Sequence, residues 1–264
     1  MPELPDVEVF KNYLNETALH ARIARVEVRE KSLLGEVSEG NLDSRLKGSR
    51  FERSFRHGKY LFVEAANEGW LVLHFGMTGF LRYYKNVEQS GDHTRLRIDF
   101  KNGFHLAFDC QRKLGLIDWV EDPKEFIRKK ELGDDPLSEH FDLSRFTELL
   151  EGKRGSVKSA LMNQSVIAGI GNIYSDEILF HAGIHPKTRV SRLAGEEMKT
   201  LFSALKEVLD TAVKARADPK EMPAHFLISV RGEKEKCPKC GGRIEKVKVS
   251  GRTSYFCSGH QRLT

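Results

Sequence analysis

The spacing of hydrophobic residues divides the chain into a β-rich half and a helical half. Val7, Phe10 and Leu14 recur at helical intervals, which predicts a helix over residues 7–19. From Arg22 to Val120, short segments rich in Val, Phe, Leu and Ile follow one another, and no helix is expected between them. Strands at this spacing are typical of a β-sandwich or a barrel.

Turn residues separate these strands at regular points. Asn67-Glu68-Gly69 and Lys101-Asn102-Gly103 each lie between two apolar runs. Asn and Gly tolerate the positive φ angles of tight hairpin turns, so both segments predict antiparallel hairpins.

A helical period begins after Leu132-Gly133-Asp134-Asp135-Pro136-Leu137, and a Gly- and Lys-rich tail follows from about residue 226. The predicted helical segments lie near 143–151, 155–163, 172–182 and 193–215. We therefore expect three domains, with boundaries at 1–125, 126–225 and 226–264.

Composition is that of a globular protein, since 39% of the 264 residues are hydrophobic and 31% are charged. No apolar run approaches the roughly 18–20 residues that a membrane span requires. The opening residues, Met1 to Asp6, have neither the basic nor the apolar region of a secretory signal. We expect a cytoplasmic protein with no membrane contact.

Charge is distributed unevenly. Residues 151–264 contain 20 Lys+Arg and 12 Asp+Glu, a net charge of +8. Residues 1–150 contain 23 Lys+Arg and 26 Asp+Glu, a net charge of −3. The basic half is either an ordinary solvated surface or a surface that attracts a polyanion such as a nucleic acid.

Three of the four cysteines lie in the tail, in two C-x-x-(C/H) pairs. The first pair is Cys237 and Cys240, and the second is Cys257 and His260. Such pairs bend the chain so that two ligands meet one ion, and four protein ligands indicate a structural Zn²⁺ site. Disulfides are the alternative, but three cysteines cannot form two bridges. The remaining cysteine, Cys110, is expected to be buried.

A hairpin lies between the two cysteine pairs. Residues 244–249 and 253–256 flank Ser250-Gly251, a strand–turn–strand pattern that completes a zinc ribbon. Arg252 falls at its tip, with Lys246 and Lys248 nearby, as expected for a phosphate-binding surface. Zinc ribbons that dock proteins are the alternative.

A second turn, Gly169-Ile170-Gly171-Asn172, lies between two predicted helices. It lacks the third glycine and the preceding strand of a dinucleotide-binding motif. Two glycines before an Asn N-cap could expose backbone N–H groups to a phosphate, although a plain interhelical turn explains the same residues.

The N-terminus, Pro2-Glu3-Leu4-Pro5-Asp6, suits the first turn of a helix, because proline loses no hydrogen bond there. A functional interpretation requires that Met1 is removed. An α-amine titrates near about 7.7–8.0, against about 10.4 for lysine, so much more of it is nucleophilic at neutral pH. Glu3 is then placed to transfer protons.

These motifs occur in one order along nearly the whole chain, and together they resemble the formamidopyrimidine-DNA glycosylase/endonuclease VIII family. The segments that carry the resemblance are Pro2 to Glu8, Gly58 to Leu61, His74 to Gly79, Gly169 to Glu177, Gly183 to Pro186 and the cysteine pairs. The resemblance implies an α+β fold: an N-terminal helix with a β-sandwich, a helix–two-turn–helix domain and a zinc ribbon.

The resemblance also implies a bifunctional DNA glycosylase and AP lyase, acting as a monomer on damaged double-stranded DNA. Pro2 would attack C1′ and form a Schiff base, Glu3 would supply protons, and β,δ-elimination would cut the strand. Lys59 would lie near the lesion's phosphate and sugar. The implied DNA-binding residues are His93, Arg112, Lys158, Gly171, Asn172 and Arg252.

Met77, Arg112 and Leu114 match the residues that fill the space left by an extruded base. The sequence departs from the family here, since Leu114 replaces the usual phenylalanine. The segment from Asp218 to Lys236 is also short of the loop that closes over 8-oxoguanine. This favours formamidopyrimidines, hydantoins or oxidised pyrimidines as substrates. The alternatives are a non-catalytic DNA-binding protein and an RNA-binding protein.

Overall fold

The chain folds into two compact units. A computed structural model describes residues 1–232 and 235–263. Glu233, Lys234 and Thr264, which belong to the predicted 226–264 domain, lie outside the described residues. One unit comprises Met1–Pro2 and Asp6–Lys130, and the other comprises Glu3–Pro5 and Glu131–Thr264. The α+β fold class is confirmed, whereas the division into three domains stays a prediction.

The first unit contains one long helix and eight strands. Helix α1 spans Leu4–Thr17 and so begins three residues before the predicted start. The strands are β1 (Ile23–Val28), β2 (Phe51–His57), β3 (Tyr60–Ala65), β4 (Trp70–His74), β5 (Gly79–Tyr84), β6 (Thr94–Phe100), β7 (His105–Cys110) and β8 (Leu116–Val120). Both predicted hairpin turns are present, between β3 and β4 and between β6 and β7.

The strands form two antiparallel four-stranded sheets, with the orders β1-β6-β7-β5 and β2-β3-β4-β8. Side chains from both sheets and from α1 share one hydrophobic core. The core includes Ile98 and Phe108 from the first sheet and Leu61 and Leu71 from the second. Helix α1 contributes Leu14 to it. A sandwich, rather than the alternative barrel, therefore forms, and its apolar core holds the strand ends that carry the candidate residues.

The expectation of no helix within this region was wrong. Helix α2 spans Glu39–Leu46, with Ser38 as N-cap, and buries only Leu42 and Leu46. Two buried residues in eight give too weak an apolar period to detect in the sequence. Helix α3, Pro123–Lys129, was also missed; it begins with Asp122 as N-cap.

The second unit is helical and ends in a two-stranded ribbon. Its helices are α4 (Leu143–Leu150), α5 (Val157–Leu161), α6 (Asn172–Ala182) and α7 (Gly195–Lys214), in agreement with the four predicted segments. A short 3₁₀ helix, Leu227–Val230, precedes the antiparallel strands β9 (Ile244–Val249) and β10 (Arg252–Cys257). Ser250 and Gly251 have φ of 48° and 76°, as the predicted tight turn requires.

Across residues 1–232 and 235–263, none of the helices has the length and apolarity needed to cross a membrane.

Candidate functional site

The carboxylate of Glu3 is buried at the start of helix α6. Its Oε2 accepts hydrogen bonds from the backbone N–H groups of Gly171 (2.8 Å) and Tyr174 (3.2 Å), and its Oε1 accepts one from Ile173 (2.9 Å). The side chain is 1% exposed. Glu3 therefore caps a helix that lies 168 residues further along the chain, and the positive end of the helix dipole stabilises its charge.

The sequence prediction for this turn needs a correction. Asn172 is not the N-cap: Gly171 occupies that position and Asn172 is the first helical residue. The N–H groups that were expected to receive a phosphate, including that of Gly171, are instead bound by the Glu3 carboxylate. Glycine is required there because a Cβ on Gly171 would lie 2.3 Å from the Glu3 Cδ.

This anchoring also fixes the chain on both sides of the carboxylate. The N–H of Leu4 donates to the carbonyl of Gly169 at 3.0 Å. Gly169 has φ of +108°, and a Cβ there would lie 2.7 Å from Leu4 Cδ1. Pro2 precedes Glu3 directly, and it is half-buried. The glycine turn thus orders the backbone that carries the candidate nucleophile.

Lys59 lies in the turn between β2 and β3. Arg56 Nη1 donates to the carbonyl of Gly58 (3.1 Å), and Arg56 Nε donates to Glu8 Oε2 of helix α1 (2.8 Å). Burial of the Glu8 carboxyl opposes its ionisation, but hydrogen bonds from Lys11 and Arg56 outweigh this effect and lower its pKa. The Arg56–Glu8 pair therefore holds the turn against the helix and places Lys59 at the end of a rigid hairpin.

His74, at the end of β4, is a candidate that the sequence analysis did not single out. Burial, with the charge of Lys59, lowers the pKa of His74 to about 4. Its Nδ1 accepts the N–H of Gly76 at 3.2 Å, which leaves the proton of the neutral ring on Nε2. His74 is thus a neutral hydrogen-bond donor whose protonation is opposed first by burial and then by the charge of Lys59. Its place in the His74 to Gly79 motif was the available signal.

Two loops of the first unit present exposed apolar side chains. Met77, between β4 and β5, is 36% exposed, and Leu114, between β7 and β8, is 51% exposed. The loops pack together, because a Cβ on Gly76 would lie 2.4 Å from the Leu114 carbonyl oxygen. The N–H of Arg112 also donates to Thr78 Oγ1 at 3.1 Å. The three predicted space-filling residues, Met77, Arg112 and Leu114, therefore lie on neighbouring loops.

His93 lies in the loop before β6 and is exposed. Its Nδ1 is 3.4 Å from Arg95 Nη2, and its carbonyl accepts the N–H of Cys110, the buried cysteine, at 2.9 Å. The ring is accessible to a ligand, as a DNA-binding role requires.

Asp176 of helix α6 is fully buried and is bound by four donors. Its Oδ1 accepts from Lys158 Nζ and Ser254 Oγ, and its Oδ2 accepts from Arg231 Nη2 (2.7 Å) and the N–H of Tyr255 (3.1 Å). Strand β10 is thereby fixed to α6. Four donors, two of them cationic, provide the hydrogen bonds that a buried carboxylate needs.

Lys158 was expected to bind DNA, but the structure buries it. Its side chain is 1% exposed and forms an ion pair with Asp176, which is 0% exposed. Burial lowers the pKa of Lys158, while Asp176 acts in the opposite direction. A phosphate could reach this ammonium only by displacing Asp176, so the geometry gives Lys158 a structural part.

Arg252 lies at the start of β10, next to the hairpin tip, and is exposed. Asn172 Nδ2 donates to the carbonyl of the next residue, Thr253, at 3.0 Å. The two predicted phosphate-binding residues, Asn172 and Arg252, are thus brought together by one backbone contact.

The side chains of Cys237, Cys240, Cys257 and His260 converge, with one ligand atom of each within 4.8 Å of the others. Cys240 and Cys257 Sγ are 3.5 Å apart, and Cys237 Sγ is 3.6 Å from His260 Nδ1. Tetrahedral zinc with Zn–S bonds of about 2.3 Å has ligands roughly 3.5–3.8 Å apart, so the four donors fit this ion.

Neighbouring groups orient these ligands. His260 Nε2 lies 3.1 Å from the carbonyl of Phe180, which fixes the ring so that Nδ1 faces the sulfurs. The N–H of Gly242 lowers the pKa of the Cys240 thiol. A Cβ on Gly259 would lie 3.0 Å from Cys240 Sγ, so a larger residue would crowd the donors.

Comparison with known proteins identifies the family. Residues 1–117 match the formamidopyrimidine-DNA glycosylase N-terminal domain, 132–222 the H2TH domain of the same enzymes, and 234–258 a zinc finger found in FPG and IleRS. The formamidopyrimidine-DNA glycosylase of Geobacter metallireducens is 35% identical over 97% of this chain and 98% of its own. The chain belongs to the formamidopyrimidine-DNA glycosylase family.

A second relative and two solved structures agree. The enzyme named formamidopyrimidine-DNA glycosylase from Acaryochloris marina is 36% identical over 97% of this chain and 98% of its own. Lactococcus lactis Fpg in complex with DNA containing an abasic site has a TM-score of 0.88 at 28% identity, covering 98% of this chain and 99% of that one. The wild-type enzyme of that species with an N7-benzyl-Fapy-dG DNA also has a TM-score of 0.88 at 28% identity, covering 99% and 100%.

Membership confirms the interpretation as a base-excision repair DNA glycosylase. The predicted structural zinc is confirmed by the zinc-finger match and by the convergence of its four ligands.

Proposed function

We propose that this enzyme, once Met1 is removed, uses the Pro2 amine to excise damaged bases from double-stranded DNA. The nitrogen bonds to C1′ as the glycosidic bond breaks, and the base leaves with that electron pair and takes up a proton. Opening of the sugar ring gives an iminium, which acts as an electron sink. Loss of a C2′ proton then breaks the C3′–O bond, and a second elimination breaks the C5′–O bond.

The observation that carries this proposal is the position of Glu3. Glu3 directly follows Pro2 in the sequence, and three backbone N–H groups fix the position of its carboxylate. A carboxylate fixed on the residue next to the nucleophile can accept and return protons without first losing conformational freedom, and such pre-organisation raises the rate of general acid–base catalysis.

Phosphate binding is assigned to groups in each unit. Lys59, with the neutral Nε2–H of His74 beside it, serves the first unit, and Arg252 and Asn172 serve the second. Lys158 is not included among the phosphate-binding residues, because its ammonium forms a buried ion pair with Asp176. Gly171 is not included either, because its N–H donates to Glu3. His93 is kept as an exposed contact. Phosphate contacts of this kind fix position on the duplex and do not read sequence.

Met77, Arg112 and Leu114 are proposed to enter the space that an extruded base leaves. Two exposed apolar side chains on touching loops have no core to fill, so stacked bases would cover them on binding.

The proposed substrates are formamidopyrimidines, hydantoins and oxidised pyrimidines. A Lactococcus lactis Fpg variant has been solved in complex with DNA that contains Fapy-dG. The short segment from Asp218 onward makes 8-oxoguanine a less favoured substrate, and Glu177 binds the N–H groups of Leu227 (2.8 Å) and Ile228 (2.7 Å) within it. Leu227 is fully buried. This part of the segment is core structure, so it cannot close over a base.

A DNA-repair activity also assigns the protein to the compartment of the genome, which is the cytoplasm or nucleoid in a prokaryote. We likewise propose that residues 1–125, 126–225 and 226–264 are separate domains, a division that the three family matches support.

Borohydride trapping tests the proposed function. Protein that starts at Pro2, mixed with an abasic-site duplex and NaBH₄, should form a covalent adduct, because hydride reduces the iminium. Peptide mapping should locate the crosslink at Pro2. The same protein with Met1 retained is the control and should give no adduct, since its Pro2 nitrogen is an amide. Absence of an adduct from the Pro2 form would favour the non-catalytic DNA-binding protein.

Arg252→Ala should weaken binding to DNA of every sequence and reduce the salt slope of log K by about 1. The guanidinium is exposed beside a hairpin turn, so its loss removes a charge without disturbing packing. Affinity measured across a salt series checks this. Lys101→Ala, which removes a charge from an exposed hairpin of the other unit, should leave the slope unchanged. Equal slopes for wild type and Arg252→Ala would contradict the assignment.

A further inference from the structure

A second group of potential metal ligands lies away from the ribbon zinc. His181 near the end of α6, Glu207 of α7 and His225 ahead of the 3₁₀ helix each offer one ligand atom, and these atoms lie within 4.8 Å of one another. The rings of His181 and His225 have centroids 5.6 Å apart. Two imidazoles and one carboxylate form the donor set that borderline divalent transition ions prefer.

The state of His181 is an independent observation that points to a ligand. Its side chain is 5% exposed, and within the described part of the chain its buried Nε2 has no hydrogen-bond partner of acceptable geometry. Glu177 Oε1 lies 3.2 Å away but already accepts the N–H of Leu227. Burying an imidazole without a well-aligned hydrogen-bond partner costs folding free energy. A metal bond to the ring would offset this cost, either directly at Nε2 or by orienting the ring so that Nε2 donates to Glu177.

The geometry permits closure around an ion. Ligand atoms about 2.0–2.1 Å from zinc are roughly 3.3 Å apart in a tetrahedral site, so these three need to approach one another by at most about 1.5 Å. Glu207 and His225 are exposed and can change rotamer without disturbing the core, while buried His181 stays fixed. Burial lowers the pKa of the nearby Lys239, while the carboxylates of Glu177 and Glu207 act in the opposite direction, so Glu177 also contributes negative charge near the proposed site.

We propose that His181, Glu207 and His225 bind a second divalent transition ion such as Zn²⁺, which goes beyond the proposed excision function. Bound there, the ion joins α6, α7 and the turn that precedes Leu227–Val230. These are the elements from which the chain enters the ribbon. With three protein ligands, the ion keeps a position for water.

Metal content of the full-length protein tests the proposal. After equilibration with low micromolar free Zn²⁺ and removal of excess, the wild type should hold about two ions per chain, and Glu207→Gln and His225→Ala about one each. Asp210→Asn makes the same charge change on an exposed position of α7 and should keep both ions. The two ligand variants change exposed side chains, so loss of folding is not expected.

Cobalt distinguishes the two sites. Substitution of Co²⁺ should give thiolate charge-transfer absorption from the ribbon in every protein, and an additional nitrogen- and oxygen-ligated component that Glu207→Gln and His225→Ala lack. One ion per chain in the wild type, or a second ion retained by both ligand variants, would overturn the proposal. Borohydride trapping should be normal in both variants, so failure here is separable from failure of the excision mechanism.

Discussion

Glu3→Gln protein is expected to excise damaged bases about 10²–10⁴-fold more slowly than the wild type, because a neutral amide cannot transfer the protons that the carboxylate does. DNA affinity should change little, since Glu3 is buried and bound to backbone N–H groups. Single-turnover excision and equilibrium binding on the same lesion duplex measure the two effects. Excision at the wild-type rate would remove Glu3 from the mechanism.

Two comparisons separate chemistry from position in that experiment. Glu16→Gln makes the same charge change on an exposed position of α1 and should have no effect on either quantity. The glutamine amide at position 3 has one acceptor oxygen for three N–H groups, so some anchoring is lost at about 1–3 kcal/mol per unsatisfied group. Trapping on a preformed abasic site reports this loss: a retained adduct indicates that Pro2 is still placed correctly.

Cys257→Ser protein is expected to lose the ribbon zinc and, with it, most of its DNA affinity. Cys257 is fully buried and its sulfur lies 3.5 Å from that of Cys240. Zinc contributes about 10–16 kcal/mol to the folding of small zinc domains, more than a two-stranded ribbon supplies by itself. Loss of the ribbon displaces Arg252 and breaks the Asn172–Thr253 contact, so affinity should fall at least about tenfold.

Metal analysis and DNA binding together check this expectation. Ser258 lies between Cys257 and His260, is exposed and is not one of the four zinc ligands. Ser258→Ala protein should therefore retain both its zinc and its DNA affinity. Zinc retained by Cys257→Ser at the wild-type level would contradict the four-ligand assignment.

Local patterns predicted the parts of this molecule that depend on nearby residues. Ser250-Gly251 fixes a hairpin by its own φ angles, and cysteines separated by two intervening residues meet one ion because the chain between them bends. The helices α4 and α7 were found because each buries apolar residues at helical intervals, whereas α6 is buried on all sides from Tyr174 to Phe180. Helix α2 was missed, since Leu42 and Leu46 are its only buried apolar residues.

Contacts between distant residues could not be read from any window of the sequence. The glycine turn does place N–H groups at a helix start, but they are bound by the carboxylate of Glu3, 168 residues away. Asp176 has the sequence context of an ordinary surface acid, yet it is buried beneath Lys158 and Arg231. The burial of Lys158 was not foreseen for the same reason: burial is a property of the packed structure.

The cap that Glu3 provides for helix α6 has a consequence for biosynthesis. The turn at residues 169–174, whose N–H groups bind Glu3, leaves the ribosome long after the N-terminus does, so the nascent amino end has no anchor until more than half of the chain has been made. The backbone that carries the proposed Pro2 nucleophile is therefore anchored only once the start of helix α6 has been made. Translation products that end before this turn would contain Pro2 but lack the N–H groups that fix the adjacent Glu3.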